Sequence, residues 1–147
     1  MIYIALRHIH SGIRWILLFI LIWSIINSLM KLAGKKEFSM FDQKLGAYTV
    51  MWAHIQLLFG IVLYFISPKV VFQASSMKNQ LLRFYLIEHI GIMIIAVILI
   101  TMGYIKAKKA ANTTKKFRLF AIYDIIALIF ILLAIPWPWR GFGSGWL

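Results

Sequence analysis

Residues 81–105 read LLRFYLIEHIGIMIIAVILITMGYI, a stretch that is apolar almost throughout and carries its charged residues only near its start. A membrane-spanning α-helix needs about 20 mainly apolar residues to cross a hydrocarbon core roughly 30 Å thick. No water is available in that core, so a helix is the form in which a single segment satisfies its own backbone. The stretch therefore predicts a transmembrane helix.

Three further stretches have the same character, at about 4–30, 45–67 and 118–136. The links between the four stretches are short, and consecutive helices joined by short links pack as antiparallel neighbours. The sequence therefore predicts an all-α fold, a transmembrane four-helix up-down-up-down bundle, with residues 1–147 in a single transmembrane domain. In such a bundle the first and third helices lie on one diagonal, and the second and fourth lie on the other.

Composition supports a membrane protein and excludes several kinds of site. Hydrophobic residues make up 63% of the chain, charged residues only 14%, and the mean hydropathy is +0.87. The chain has no cysteine, which excludes disulfides, thiolate zinc sites and cysteine-ligated iron–sulfur clusters. The net charge of +12 does not indicate a nucleic-acid partner, because the basic residues mostly flank apolar segments, where they set topology and contact anionic lipid.

The basic residues are distributed unequally between the two predicted membrane surfaces. Ten flank or lie in the first and third links, and six lie on the side of the termini. Because cytoplasmic loops carry the excess of Lys and Arg, we expect the two lysine-rich links inside and both termini outside.

All four histidines lie in or beside the apolar stretches: His8 and His10 in the first, His54 in the second and His89 in the third. At 1.5 Å per residue, His10 and His89 both lie roughly 9–12 Å below the outer surface on diagonal helices. Imidazole is the usual protein ligand of haem iron. This depth match predicts non-covalent haem b with His10 and His89 as its axial ligands. Gly12 and Gly91, each two residues further along, are predicted to leave space for the haem ring.

Basic residues near the same depth are candidates for contacts with the haem propionates or for other polar support. Arg7 and Arg14 share a helical face with His10, and Arg83 starts the third helix. Glu88 points about 100° away from His89 on a regular α-helix. We expect Glu88 to pair with Arg7 or Arg14 or to lie at the outer rim.

A second polar layer is predicted in the inner half, where His54 and Asp124 lie at similar depth on the other diagonal. Three roles stay open for this pair: a proton relay, part of a quinone pocket, or a structural hydrogen bond. His54 and His8 are also alternative haem ligands, since His54 could pair with His8 or His10 if the second helix is tilted or displaced. For His8, a place among the outer headgroups is favoured over ligation.

Four motifs carry a family resemblance that covers nearly the whole chain: HIHSGIRW at 8–15, HIQLLFGIVLYFISP at 54–68, RFYLIEHIGIM at 83–93 and IPWPWRGFGSGW at 135–146. They resemble the small bacterial four-helix membrane proteins described as cytochrome b-like. The resemblance implies haem binding by residues among His10, His54, His89 and His8, with arginine support, in the bacterial inner (plasma) membrane. A weaker likeness, in architecture alone, is to the four-helix half of the haem A synthase fold.

These observations lead to two functional expectations. The first is a haem b protein that carries single electrons to or from a quinone or a redox partner, rather than a stand-alone enzyme, because no nucleophile set or phosphate-binding loop is present. The second is a non-redox structural or accessory subunit of a larger membrane complex, or a homo-oligomer, in which buried polar residues hold the helices together.

Overall fold

The computed structural model describes residues 1–142, 145 and 146, so Gly143, Ser144 and Leu147 of the predicted irregular tail lie outside the described residues. Over the described residues, four helices are long and apolar enough to cross a membrane: α1 (Ile2–Ala33), α2 (Met40–Ile66), α3 (Gln80–Lys109) and α4 (Thr113–Ala134). That part of the chain contains no strand. The protein is therefore an all-α, multi-pass membrane protein, as predicted, while the up-down-up-down order stays a prediction.

Polar caps start two of the helices earlier than hydropathy indicated. α2 begins at Met40 rather than near 45 because Ser39 and Asp42 form a capping box, in which the Asp42 carboxylate accepts from the Ser39 N–H at 2.7 Å. α4 begins at Thr113 rather than near 118 because Asn112 Oδ1 accepts from the Lys115 N–H at 2.8 Å. Capped polar turns are helical but carry no hydropathy signal.

The helices pack around a common core, with α1 and α3 each in contact with both α2 and α4. Two glycines allow the closest approaches. A Cβ at Gly46 would lie 2.5 Å from a ring carbon of Phe120, and one at Gly103 would lie 2.6 Å from Tyr123 Cβ. Small residues of this kind let membrane helices come close enough for van der Waals contact, which drives their association in lipid.

The core is a layer of buried aliphatic side chains from all four helices, among them Leu21, Ala53, Ile100 and Ala127. Large apolar side chains such as Phe19 and Leu133 point outward instead. In a bilayer those outward residues contact lipid, so apolar character alone does not distinguish the inner faces of these helices from the outer ones.

Two ends of the bundle differ in their polar residues. We call the part around His10, Gly60 and His89 the histidine end, and the part around Lys31 and Asp42 the lysine end. At the lysine end, Lys31 Nζ lies 2.7 Å from an Asp42 carboxylate oxygen, and Asn27 Nδ2 donates to the same oxygen at 2.7 Å.

Helix α3 is not α-helical throughout, because Phe84–Glu88 forms a turn of π-helix just before His89. A π turn places residues five apart above one another. Arg83 and Glu88 are five apart, and their side chains form an ion pair of 2.7 Å. The expected pairing of Glu88 with Arg7 or Arg14 is therefore wrong, since the π turn directs this carboxylate toward Arg83.

After α4, the tail folds back over the histidine end. Pro136 and Pro138 prevent a regular helix, and a short 3₁₀ turn occupies Pro138–Arg140. Phe142 is buried and stacks on Phe84, with ring centroids 4.3 Å apart. This contact carries the tail to the mouth of the cavity described below.

Candidate functional site

A central cavity of about 140 Å³ lies at the histidine end, with lining residues from all four helices. Its deeper wall is apolar and includes Ala53, Ile100 and Ile131. Its wall toward the tail is polar, with the lining side chains Arg7, His10, Arg14, Gln56, Lys69, Tyr85 and His89. Such a combination of apolar walls with a few convergent polar groups is typical of a ligand site.

His10 and His89, the two predicted axial ligands, line this same cavity from α1 and α3. The His89 Nδ1 lies 2.7 Å from the Ala134 carbonyl oxygen. A carbonyl oxygen only accepts, so Nδ1 carries the proton and donates it, which leaves Nε2 as a free lone pair. A metal-bound histidine commonly has this arrangement, with the second ring nitrogen fixed by a carbonyl.

His10 has a different partner, which the sequence interpretation did not include. Its Nε2 lies 3.1 Å from Gln56 Nε2, while His10 Nδ1 and Gln56 Oε1 are buried without any hydrogen-bond partner in the described chain. The ring also packs against Gly60, where an added Cβ would lie 3.3 Å from His10 Cε1. One nitrogen of His10 is thus unsatisfied, and a side chain at residue 60 would crowd the ring.

Gly12 and Gly91 do not provide the space that the sequence interpretation assigned to them. Neither lines the cavity, and a Cβ at either position would meet no atom within 4 Å. The close glycine is Gly60, on α2 rather than on the helices that carry the two histidines.

Three cations line the tail side of the cavity, and we call Arg7, Arg14 and Lys69 the cation cluster. Arg14 is only 9% exposed, and its Nη2 donates to the Trp146 carbonyl at 2.7 Å. Lys69 Nζ donates to the Phe142 carbonyl at 3.0 Å. No Asp or Glu is present among the described residues that line the cavity.

The surroundings of Lys69 shift the pKa of its ammonium group. Lys69 lies in the link between α2 and α3, outside the spanning helices. Burial lowers the pKa of Lys69, and the positive charge of Arg7 lowers that pKa further. Both effects disfavour the charged ammonium, and a nearby negative charge would reverse them.

Four predicted site residues lie away from the cavity. His8 is exposed on the outer surface of α1. Arg83 is paired with Glu88 and does not line the cavity. Lys69, which follows Pro68 after the end of α2, does line the cavity.

The predicted pair of His54 and Asp124 does not form. His54 is exposed on the outer face of α2, where its Nδ1 lies 2.8 Å from the Val50 carbonyl oxygen one turn earlier. Asp124 is 2% exposed and accepts from the Ser24 hydroxyl at 2.8 Å. The depths of the two residues were similar, but α2 is rotated so that His54 points away from α4.

The donor set fits haem b in part. Haem needs only two axial protein ligands, which matters because no group of three or more His, Cys, Asp or Glu able to hold a metal occurs in the described chain. His89 Nε2 carries a lone pair, because its Nδ1 donates to Ala134. His10 Nε2 accepts from the Gln56 amide nitrogen, so the partnerless His10 Nδ1 carries the proton, and a lone pair for iron on Nδ1 requires the Gln56 amide to turn over and accept from Nε2–H. The cavity of about 140 Å³ is smaller than the roughly 300–1,000 Å³ usual for ligand pockets, so binding of a tetrapyrrole requires it to widen.

Comparison of the chain with protein-family models, with curated proteins and with solved structures finds no match. Function must therefore be inferred from the chemistry of the cavity rather than from relatives.

Proposed function

We propose that the protein binds haem b in the cavity at the histidine end, with His10 and His89 as axial ligands, and transfers single electrons within the membrane. The observation that carries the proposal is the presence of both histidines in one buried cavity, with the His89 Nδ1 proton committed to Ala134. The cytochrome b-like resemblance of the four motifs is consistent with it. When bound, haem supplies an iron that alternates between ferrous and ferric states.

The chain's own residues have four tasks in this proposal. The Ala134 carbonyl fixes the tautomer and orientation of His89, and Gly60 leaves room for the His10 ring. The Gln56 amide, turned so that its oxygen accepts from His10 Nε2–H, would hold His10 with Nδ1 unprotonated. The apolar wall of Ala53, Ile100 and Ile131 excludes water, and the low dielectric of such a surrounding tunes the reduction potential.

A visible spectrum tests the proposal directly. The protein is purified in detergent after expression with added haem precursor, and a reduced-minus-oxidised spectrum is recorded. We expect the sharp α-band of a six-coordinate b-type haem. His89→Ala removes an axial ligand and should abolish that band.

The matched control is His54→Ala, because His54 is an imidazole of the same protein on the outer face of α2. Its spectrum should equal that of the unmodified protein. A full α-band in His89→Ala, or no haem band in the unmodified protein, contradicts the proposal. Loss of the band in His54→Ala or His8→Ala alone would transfer the ligand role to that residue.

The proposed setting is the bacterial inner membrane with both termini in the periplasm and a quinone or a protein as redox partner. The excess of Lys and Arg around the first and third links supports this orientation. Because the chain has no cysteine, single-cysteine variants test it cleanly. A membrane-impermeant thiol reagent should label Ser75→Cys from the periplasm and should leave Ala111→Cys unlabelled until the membrane is opened.

A non-redox accessory subunit is the second candidate, and the polar contacts toward the lysine end favour it. Asp42 with Lys31 and Asn27, and Asp124 with Ser24, are polar contacts that join neighbouring helices. In that case the protein copurifies with stoichiometric partners or as a homo-oligomer and has no visible chromophore. The second candidate leaves the unsatisfied atoms of the histidine end unexplained.

A further inference from the structure

The two arginines of the cation cluster each have a hydrogen-bond donor that no group of the described residues accepts. The Nε atoms of both Arg7 and Arg14 are buried without a hydrogen-bond partner in the described chain. Arg14 is nine-tenths buried and lines the cavity. A buried guanidinium that lacks a carboxylate is costly in any protein, and more so in a membrane-spanning bundle.

The tail supplies two neutral acceptors to the cluster. Arg14 donates to the Trp146 carbonyl at 2.7 Å and Lys69 donates to the Phe142 carbonyl at 3.0 Å. Carbonyl groups satisfy individual donors but cancel no charge. A carboxylate or phosphate accepts stronger, charge-assisted bonds from the same donors and can take two parallel bonds from an arginine.

We propose that the cation cluster is a binding site for an oxyanion, a carboxylate or phosphate group carried by the occupant of the cavity. In the haem proposal, on which this inference builds, the oxyanions are the two carboxylates of the tetrapyrrole. The same chemistry is offered by the phosphate of an anionic lipid or by a free phosphate ion. The tail carbonyls of Phe142 and Trp146 hold the donors of Lys69 and Arg14 while the oxyanion is away.

The position of the cluster also predicts the orientation of the bound ligand. The cations lie beside the tail, and the wall of Ala53, Ile100 and Ile131 lies deeper in the bundle. A ligand with apolar and anionic parts therefore binds with its oxyanion toward the tail and its apolar part toward the core.

Iron-free protoporphyrin IX is the first probe, because it keeps the two carboxylates and lacks the metal. Its binding to the detergent-purified protein is followed by fluorescence and compared with that of its dimethyl ester. We expect the ester to bind at least about tenfold more weakly, as loss of charge-assisted hydrogen bonds implies. Arg14→Gln and Lys69→Met should weaken protoporphyrin to a similar extent.

Two controls separate the oxyanion site from a structural effect. Arg83→Gln removes a cation of the same end whose partner is Glu88 and which does not line the cavity, and it should leave protoporphyrin affinity unchanged. Arg14→Lys keeps the charge and should restore part of the affinity lost in Arg14→Gln. If Arg14→Gln fails to fold, the Lys69→Met variant and the dimethyl ester still decide the matter.

The second arm covers the other sources of the oxyanion. The melting temperature of the protein is measured in nanodiscs of phosphatidylglycerol and of phosphatidylcholine, and in detergent with inorganic phosphate or with chloride. A stabilisation by phosphatidylglycerol or phosphate that Arg14→Gln removes and Arg83→Gln retains supports the site with a lipid or free ion as its source. If neither porphyrin nor phosphate depends on Arg14 and Lys69, the inference is overturned.

The outcomes distinguish this inference from the haem proposal. Iron-free protoporphyrin or phosphate bound through Arg14 and Lys69, without any haem spectrum, supports the oxyanion site and rejects the electron-transfer function. A normal haem spectrum with equal haem affinity in Arg14→Gln, Lys69→Met and the unmodified protein keeps the function and rejects the oxyanion site.

Discussion

The histidine end and the lysine end of the bundle treat buried polar groups in opposite ways. At the lysine end, Asp42 is 4% exposed and receives bonds from Lys31, Asn27 and Ser39. At the histidine end, atoms of Arg7, His10, Arg14 and Gln56 are buried without partners among the described residues. Polar groups in a bilayer are costly unless they are paired. A paired set therefore indicates a structural role, and an unpaired set around a cavity indicates a ligand.

The largest effect on stability is expected at the lysine end, from Asp42→Ala. This change leaves Lys31 without its carboxylate and removes the capping box of α2. Breaking a buried ion pair commonly costs 3–5 kcal/mol, and because Lys31 is 25% exposed we expect about 2–4 kcal/mol. The free energy of unfolding in mixed detergent micelles measures this loss. Glu37→Ala, an exposed acidic residue of the same link, should change it by less than about 0.5 kcal/mol.

The next effect concerns pH and the histidine end. Charged Lys69 binds an oxyanion and neutral Lys69 does not, and the pKa of Lys69 in the empty cavity is lowered by burial and by Arg7. Protoporphyrin affinity should therefore be highest below that pKa. It should fall as the pH rises through the pKa, by up to about tenfold per pH unit. Within the part of the chain that the structure describes, the ionisable groups found to face Lys69 are Arg7 on α1 and Tyr85 on α3.

Fluorescence titrations between about pH 7 and pH 10 measure this dependence, with Lys69→Met as the comparison. The variant should bind weakly at every pH in that range. An equal decline in Lys69→Met would assign the titration to another group.

A smaller effect is expected from Gly60→Ala. The added methyl group would lie 3.3 Å from His10 Cε1 and would press on the ring. Haem affinity should fall by about threefold to tenfold, which corresponds to roughly 0.7–1.4 kcal/mol. Gly12→Ala is the matched control, because a Cβ there meets nothing within 4 Å. Equal haem affinities in the two variants would show that Gly60 is not needed for the position of His10.

The smallest effect on stability is predicted for Arg14→Gln in the protein without a bound ligand. This variant tests the difference between the histidine end and the lysine end directly. Arg14 has no carboxylate partner in the described part of the chain, so the variant loses a hydrogen bond to Trp146 but also loses a buried charge that no described carboxylate compensates. We expect the free energy of unfolding to change by less than about 1 kcal/mol, although oxyanion binding is lost. A destabilisation as large as that of Asp42→Ala would mean that Arg14 is part of the structural framework.

The sequence was sufficient to predict the four helices. It also predicted that His10 and His89 would face each other inside the bundle. Hydropathy and length predict each helix, and counting residues predicts the depth of a side chain at 1.5 Å per residue. The starts of α2 and α4 were not predicted correctly, because they depend on the polar caps Ser39 and Asn112.

The sequence was sufficient to predict only part of the roles of Gln56, Lys69 and Arg83. Gln56 lies at a suitable depth, two residues after His54, and Lys69 lies at the correct end of α2. The pairing of Arg83 with Glu88 depends on the π turn of α3, for which the sequence carries no recognisable signal.

The sequence by itself determined how deep each polar residue lies, because rise along a helix is set by backbone geometry. Only the tertiary structure decided which way each one points. His54 and Asp124 have similar depths. His54 nevertheless lies on the outer face of α2, whereas Asp124 is buried and bonded to Ser24. A helix that is apolar on every side has no preferred face toward lipid. Its rotation is therefore set by close contacts such as those at Gly46 and Gly103 and by polar pairs.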